Sequence, residues 1–317
     1  MGDIHGGWEI TNLGVGTCTL GFAARRYVDG SPVFVTNSHC TTVQHGFDGG
    51  AMHQAGIHIG NEILDPSGFP CLFHTCRYSD AALFSTLVPI QFGTLARTTA
   101  SSGCEDCSAP LTIDHSNPTF QITGQYAGII ENEVLHKVGR TTGWTYGGVE
   151  DTCTDYTIDG WVRLCSDRVD YSIKPGDSGS PVFTVKSDGT VALRGISFGY
   201  EGWPYSDALM SNIKRVELDL GALRSYDPGP PTVTIYGPSE VQAGAICRWE
   251  ASPGAGIPPY TYQWSGPFSG NAAVVEGSLQ SSAWLQVVIT DFLGRTGHDT
   301  YFVDVEGVSD GEYCPEA

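Results

Sequence analysis

The chain has 317 residues, 40% of them hydrophobic, which is ample for one large core or two ordinary ones and excludes a disordered protein. Thirty-five acidic against sixteen basic side chains give a net charge of −19, spread over both halves of the chain, and this argues against a nucleic-acid partner, which needs clustered lysine and arginine. Ten cysteines point to an oxidising, extracellular compartment, and no apolar run is long enough to span a bilayer.

The opening Met1-Gly2-Asp3-Ile4-His5 lacks the basic start and apolar core of a signal peptide, so the numbering is expected to begin at a mature or trimmed form. Short strand-forming runs follow at residues 18–24, 33–36, 81–84, 134–138, 161–164, 180–185 and 191–198, separated by glycine, proline, asparagine and aspartate. That rhythm predicts an all-β barrel or sandwich. One helix is expected, over residues 207–223. It must end before Ser225-Tyr226-Asp227-Pro228-Gly229-Pro230-Pro231, whose prolines form a stiff linker over 228–231 and close a first domain at 1–227. Residues 232–236, 242–250, 260–265, 283–291 and 298–305 then read as five short alternating strands. They predict a small sandwich over 232–317, of the size of immunoglobulin-like or PKD-like modules, with Trp249, Trp264 and Trp284 in its core.

The cysteines divide by position. Cys18 and Cys40 would tie two strands together, Cys153 and Cys165 lie close in sequence, and Cys247 has Cys314 in the tail as its local partner. Cys71, Cys76, Cys104 and Cys107 would either pair among themselves or give four thiolates to a structural zinc; secretion favours bridges, and no metal or cofactor is expected.

Chemistry concentrates in KPGDSGSPVF, residues 174–183. Glycine, aspartate and serine make ordinary turns, but the same residues build a loop in which Ser178 attacks a carbonyl while neighbouring N–H groups hold the oxyanion. A serine needs a base, and the base needs an orienting acid. His39 is the base candidate, because it follows an apolar strand and immediately precedes Cys40, whose bridge to Cys18 would hold the imidazole still. The other eight histidines, among them His45, His53, His58, His74 and His136, have no such frame. Asp80 is the acid candidate, since the strand 81–84 directly after it would carry it into a packed position, whereas Asp48, Asp65 and Asp114 read as turn caps.

The segments CTLGFAARR…VFVTNSHCT, SDAALF, KVGRTTGW, PGDSGSPVF and LRGISFGYEG stand in the order of the chymotrypsin-like serine proteases, and over residues 14–222 the chain resembles most the streptogrisin and α-lytic type. The resemblance implies a double β-barrel and a secreted serine endopeptidase acting on polypeptides, with His39, Asp80 and Ser178 as triad. It further implies that the N–H groups of Gly176 and Ser178 form the oxyanion hole, that Lys137 holds Asp177 with Arg140 the second candidate, and that Ser197, Phe198 and Gly199 pair with extended substrate. Ser172 and Ile173 would line the pocket for the side chain before the cut. Ser180 departs from the commoner glycine, and residues 172–175 lack the cysteine that often precedes the nucleophile loop. Ser172 in place of an aspartate argues against a trypsin-like preference, and Ile196 in place of a histidine against glutamate specificity, which leaves medium or large apolar side chains. A narrow processing protease, an esterase, or a silent binding or adhesion protein are the alternatives. A monomer is expected, and the ligand of the second domain is unreadable.

Overall fold

The structure, a computed structural model, describes residues 4–71, 73–103, 111–201, 207–307 and 314. The chain divides into two compact units, Met1–Arg26 with Ser31–Tyr226, and Tyr27–Gly30 with Asp227–Ala317. Both are built of β-strands. Among the described residues the only α-helix is Ile213–Leu220.

In the first unit an eight-stranded and a twelve-stranded sheet form the two barrels. Three central strands of the first barrel, Phe22–Arg26, Pro32–Asn37 and Ala81–Ser85, explain the nearly continuous apolar runs in the sequence. Successive side chains of a strand point to opposite faces, and here both faces are buried. Phe34, Ala82 and Phe84 fill the first barrel, with the Phe34 and Phe84 rings stacked at 5.1 Å. Val33, Val35, Ala81 and Leu83 face the other way, into a core shared with Phe183, Leu193 and Ile196 of the second barrel. Leu135, Val149, Val169, Val182 and Met210 form that barrel's own interior.

The expected helix over 207–223 is shorter than its periodicity suggests. Ala208–Asn212 is a fully buried strand paired with both Trp161–Val169 and Val191–Tyr200, so sheet pairing overrides local preference there. Helix starts only after Asn212, whose side chain accepts the N–H of Arg215 as an N-cap.

The second unit contains a three-stranded sheet, Val233–Tyr236, Ile246–Pro253 and Val274–Ser278, and a four-stranded sheet, Glu240–Gln242, Thr296–Glu306, Ala283–Thr290 and Thr261–Ser265. Their inner faces share one core around Trp249, Trp264, Leu285, Val287 and Ile289. Trp284 is not in it. Leu285, Val287 and Ile289 take the inward parity of their strand, so Trp284 points outward, 61% exposed, beside Phe302 on the next strand.

Four disulfides join described cysteines: Cys18 to Cys40, Cys71 to Cys76, Cys153 to Cys165, and Cys247 to Cys314. The Cys71–Cys76 bond removes two of the four thiolates of the zinc alternative. Cys104 and Cys107 lie outside the described residues.

Candidate active site

Strand register brings the first two groups together. Ala81–Ser85 pairs antiparallel with Pro32–Asn37, Ala81 opposite Asn37, so the residue before one strand and the residues after the other meet at the same sheet end. Asp80 precedes Ala81, and His39 sits in the 3-10 turn Ser38–Cys40 that follows Asn37. The main-chain carbonyl of Asp80 accepts from Ser38 N–H and Asn37 Nδ2, both at 2.9 Å, which locks the turn to the strand. In this frame His39 Nδ1 donates to Asp80 Oδ2. No other hydrogen bond holds the His39 ring among the described residues.

Ser178 comes from the second barrel, on the loop before Pro181–Val185. Thr19 of the first barrel clamps this loop, its N–H donating to Ser178 O at 2.8 Å and its hydroxyl to Gly176 O at 2.8 Å. Gly179 has φ +89°, and a Cβ there would lie 2.3 Å from Thr19 O, so only glycine lets the two barrels approach. The loop is closed internally by Asp177 N–H to Lys174 O and by Ser180 Oγ–H to Asp177 O. Ser180, the departure from glycine noted above, therefore ties the loop. The N–H groups of Gly176 and Ser178 have no partner among the described residues.

His39, Asp80 and Ser178 line one cleft of about 440 Å³, with Ile173, Phe198 and Gly199 among its walls. Ser172 and Ser197 are fully buried, and Ser197 Oγ pairs with the Tyr171 hydroxyl at 2.7 Å. Gln44, Ile158, Asp159 and Tyr200 also face the cleft and were not anticipated. A larger apolar groove of about 510 Å³, walled by Trp8, Ile57, Ile59 and Ile113, shares no residue with the cleft and brings no nucleophile and base together.

Beneath the cleft two ion clusters are buried. Asp177 Oδ2 lies 3.3 Å from Lys137 Nζ, and neither side chain has any exposed surface. Asp177 also accepts from Thr141 N–H, Thr142 N–H, Lys174 N–H and Thr142 Oγ1–H, at 2.6 to 3.1 Å. Burial pushes the Lys137 ammonium below its ordinary range, and the Asp177 carboxylate opposes that shift. Arg140 instead meets Glu9 at 2.7 Å on the surface.

The second cluster contains His45, read from the sequence as unframed, and Asp65, read as a turn cap. His45 and Asp65 are buried, with Arg77 and Arg163 beside them. Arg163 Nη2 donates to Asp80 Oδ1 at 3.2 Å and approaches His45 Nε2 at 2.8 Å. Arg77 Nη1 donates to Asp65 Oδ1 at 2.7 Å. Burial depresses the His45 pKa to about 3, with Asp80 opposing and both arginines assisting, so the imidazole is neutral. Burial alone would raise Asp80; the His39 and Arg163 charges outweigh it and hold the carboxyl below the usual carboxylate range. The one sequence signal for this cluster was an arginine within each of two apolar stretches, HTCRYSDAALF and WVRLC.

No family model and no curated protein matches the sequence. Solved structures do match in fold. Nocardiopsis protease is 22% identical at a TM-score of 0.51, over 71% of this chain and 100% of that one. Thermobifida fusca protease A is 18% identical at 0.51, over 71% and 99%, and a glutamic acid-specific serine protease is 19% identical at 0.52, over 70% and 100%. The covered share equals the first unit in extent, and the chain thus contains a double β-barrel of the chymotrypsin-like serine protease fold.

Proposed function

We propose that the first unit is a serine endopeptidase with His39 as general base, Asp80 as its orienting acid and Ser178 as nucleophile. The observation that carries the reading is the meeting in one cleft of an imidazole whose far nitrogen is fixed by a buried carboxylate and Ser178, on a loop whose Gly176 and Ser178 N–H groups have no partner among the described residues. The Asp80 bond fixes the Nδ1–H tautomer and leaves Nε2 as the acceptor for the Ser178 proton. As Ser178 Oγ attacks a peptide carbonyl, the oxyanion is held by the Gly176 and Ser178 N–H groups. His39 then gives its proton to the leaving amine, and water reverses the sequence on the acyl-enzyme. Ile173, Phe198 and Gly199 supply apolar walls and an edge for the substrate, consistent with an apolar residue before the cut.

The four disulfides among the described residues support a secreted protein, and the two-sheet second unit supports an immunoglobulin-like module. A fluorophosphonate probe followed by digestion of a peptide library tests the function. Labelling of Ser178 with general cleavage is expected. Labelling without cleavage of the library assigns an esterase or narrow processing enzyme, and absence of labelling removes the enzymatic reading.

A further inference from the structure

His39 engages only one of the two carboxylate oxygens of Asp80. Building on the serine-hydrolase reading, we propose that Arg163 is a positioning residue for it, gripping Asp80 Oδ1 so that Oδ2 is presented to His39 Nδ1. Arg163 lies 83 positions from Asp80, on Trp161–Val169 of the other barrel, and both side chains are 2% exposed or less. Among the described residues no other hydrogen-bond donor reaches Oδ1.

The guanidinium is itself held in place. Arg163 Nη2 can only donate, so His45 Nε2 accepts from it at 2.8 Å, while Nδ1 of the same ring lies 2.9 Å from both Arg77 Nη1 and Ser38 Oγ. The His45 backbone N–H donates to Ser38 Oγ at 2.8 Å, and Ser38 Oγ–H donates to Asp65 Oδ2 at 2.7 Å. The Trp161 ring packs against the imidazole, with centroids 4.3 Å apart. The chain Asp80, Arg163, His45, Ser38, Asp65 thus runs without a break, and Ser38 immediately precedes His39.

The arrangement is expensive for a merely structural one. Arg163 pairs opposite Arg77 on the neighbouring parallel strand, two like charges side by side. Arg163 Nε and Nη1 are buried with no hydrogen-bond partner among the described residues. An apolar side chain of similar length would fill the space at lower desolvation cost. What an apolar residue cannot supply is a donor at Asp80 Oδ1, and that is where the one well-placed nitrogen is directed.

The test compares Arg163→Met, Arg163→Gln and Arg163→Lys in the full-length chain, alone and combined with Asp80→Asn, by peptide kinetics and fluorophosphonate labelling rate. Losing a charge-assisted hydrogen bond to the orienting acid is expected to lower kcat by about 10- to 100-fold for Arg163→Met and Arg163→Gln, with KM within about threefold. Arg163→Lys should recover part of the loss. Combined with Asp80→Asn, the same substitutions should cost less than about twofold, because the path they act through is already broken. Wild-type kcat in Arg163→Met, an undiminished loss in the Asp80→Asn background, or no recovery with Arg163→Lys would each overturn the proposal. Should Arg163→Met not fold, Arg163→Lys and Arg163→Gln carry the same comparison. A wild-type protein that neither labels nor cleaves defeats the serine-hydrolase reading instead, and is scored before any variant.

Discussion

Replacing Lys137 by methionine removes the cation beneath the nucleophile loop while nearly preserving side-chain length. Both members of the Lys137–Asp177 pair are fully buried, and stripping one partner from such a pair costs about 3 to 5 kcal/mol. Asp177 keeps four other donors, from Thr141, Thr142 and Lys174, which places the loss at the lower end, about 3 kcal/mol. That is roughly a hundredfold in the fraction of molecules whose loop stays assembled. Asp177 is joined to Lys174 and Ser180 within the loop that carries Gly176 and Ser178, so its displacement disperses the oxyanion donors along with the nucleophile. Circular dichroism should match wild type, while the fluorophosphonate labelling rate and kcat on a chromogenic peptide both fall by one to two orders of magnitude. Lys137→Arg should retain part of each. Arg140→Met removes only a surface contact with Glu9 and should stay within about threefold. A Lys137→Met protein that labels and cleaves at the wild-type rate would refute the argument.

Ser178→Ala and His39→Ala should each remove several orders of magnitude of amide hydrolysis with the fold intact, and activity within about tenfold of wild type in either would cancel the triad assignment. Acid should destabilise the fold through its neutral histidines: burial holds His45 at about 3 and His136 at about 4, against an ordinary 6.5. Their contribution is complete above pH 6.5 and is lost as pH falls, at about 1.4 kcal/mol per pH unit per histidine between roughly pH 6 and 4. Urea unfolding at pH 7, 6 and 5 measures this slope, His136→Gln should reduce it, and a flat profile contradicts it. Glu62 has the opposite sign. Burial and the adjoining Asp48 raise its pKa to about 7 from 4.5, so its contribution is complete below pH 4.5 and lost as pH rises through 7. Glu62→Gln, which mimics the protonated acid and can still accept the Asp48 and Gly49 N–H groups, should therefore stabilise the protein at pH 8 more than at pH 5; equal effects at both would discount the buried acid.

Much of the site was legible because its parts sit beside local signals. His39 and Asp80 flank apolar strands and Ser178 lies in a glycine-bounded loop, so strand runs and turn chemistry proposed these three, whereas Lys137 was proposed through the resemblance to the streptogrisin and α-lytic type. The twofold parity of Ala283–Thr290 was equally present in the sequence, and Trp284 was misplaced by carrying over to it the tryptophan that such sandwiches pack in their core. What the sequence alone could not decide is which charges share a buried space. Arg163 meets Asp80, and Arg77 meets Asp65 and His45, only because Trp161–Val169 pairs with His74–Arg77 at one end of the twelve-stranded sheet. Such a pairing joins residues many tens of positions apart, and a buried charge is stable only where its partner arrives. Periodicity reports which face of a strand is buried; the partner on that face is determined by the closing of the sheets.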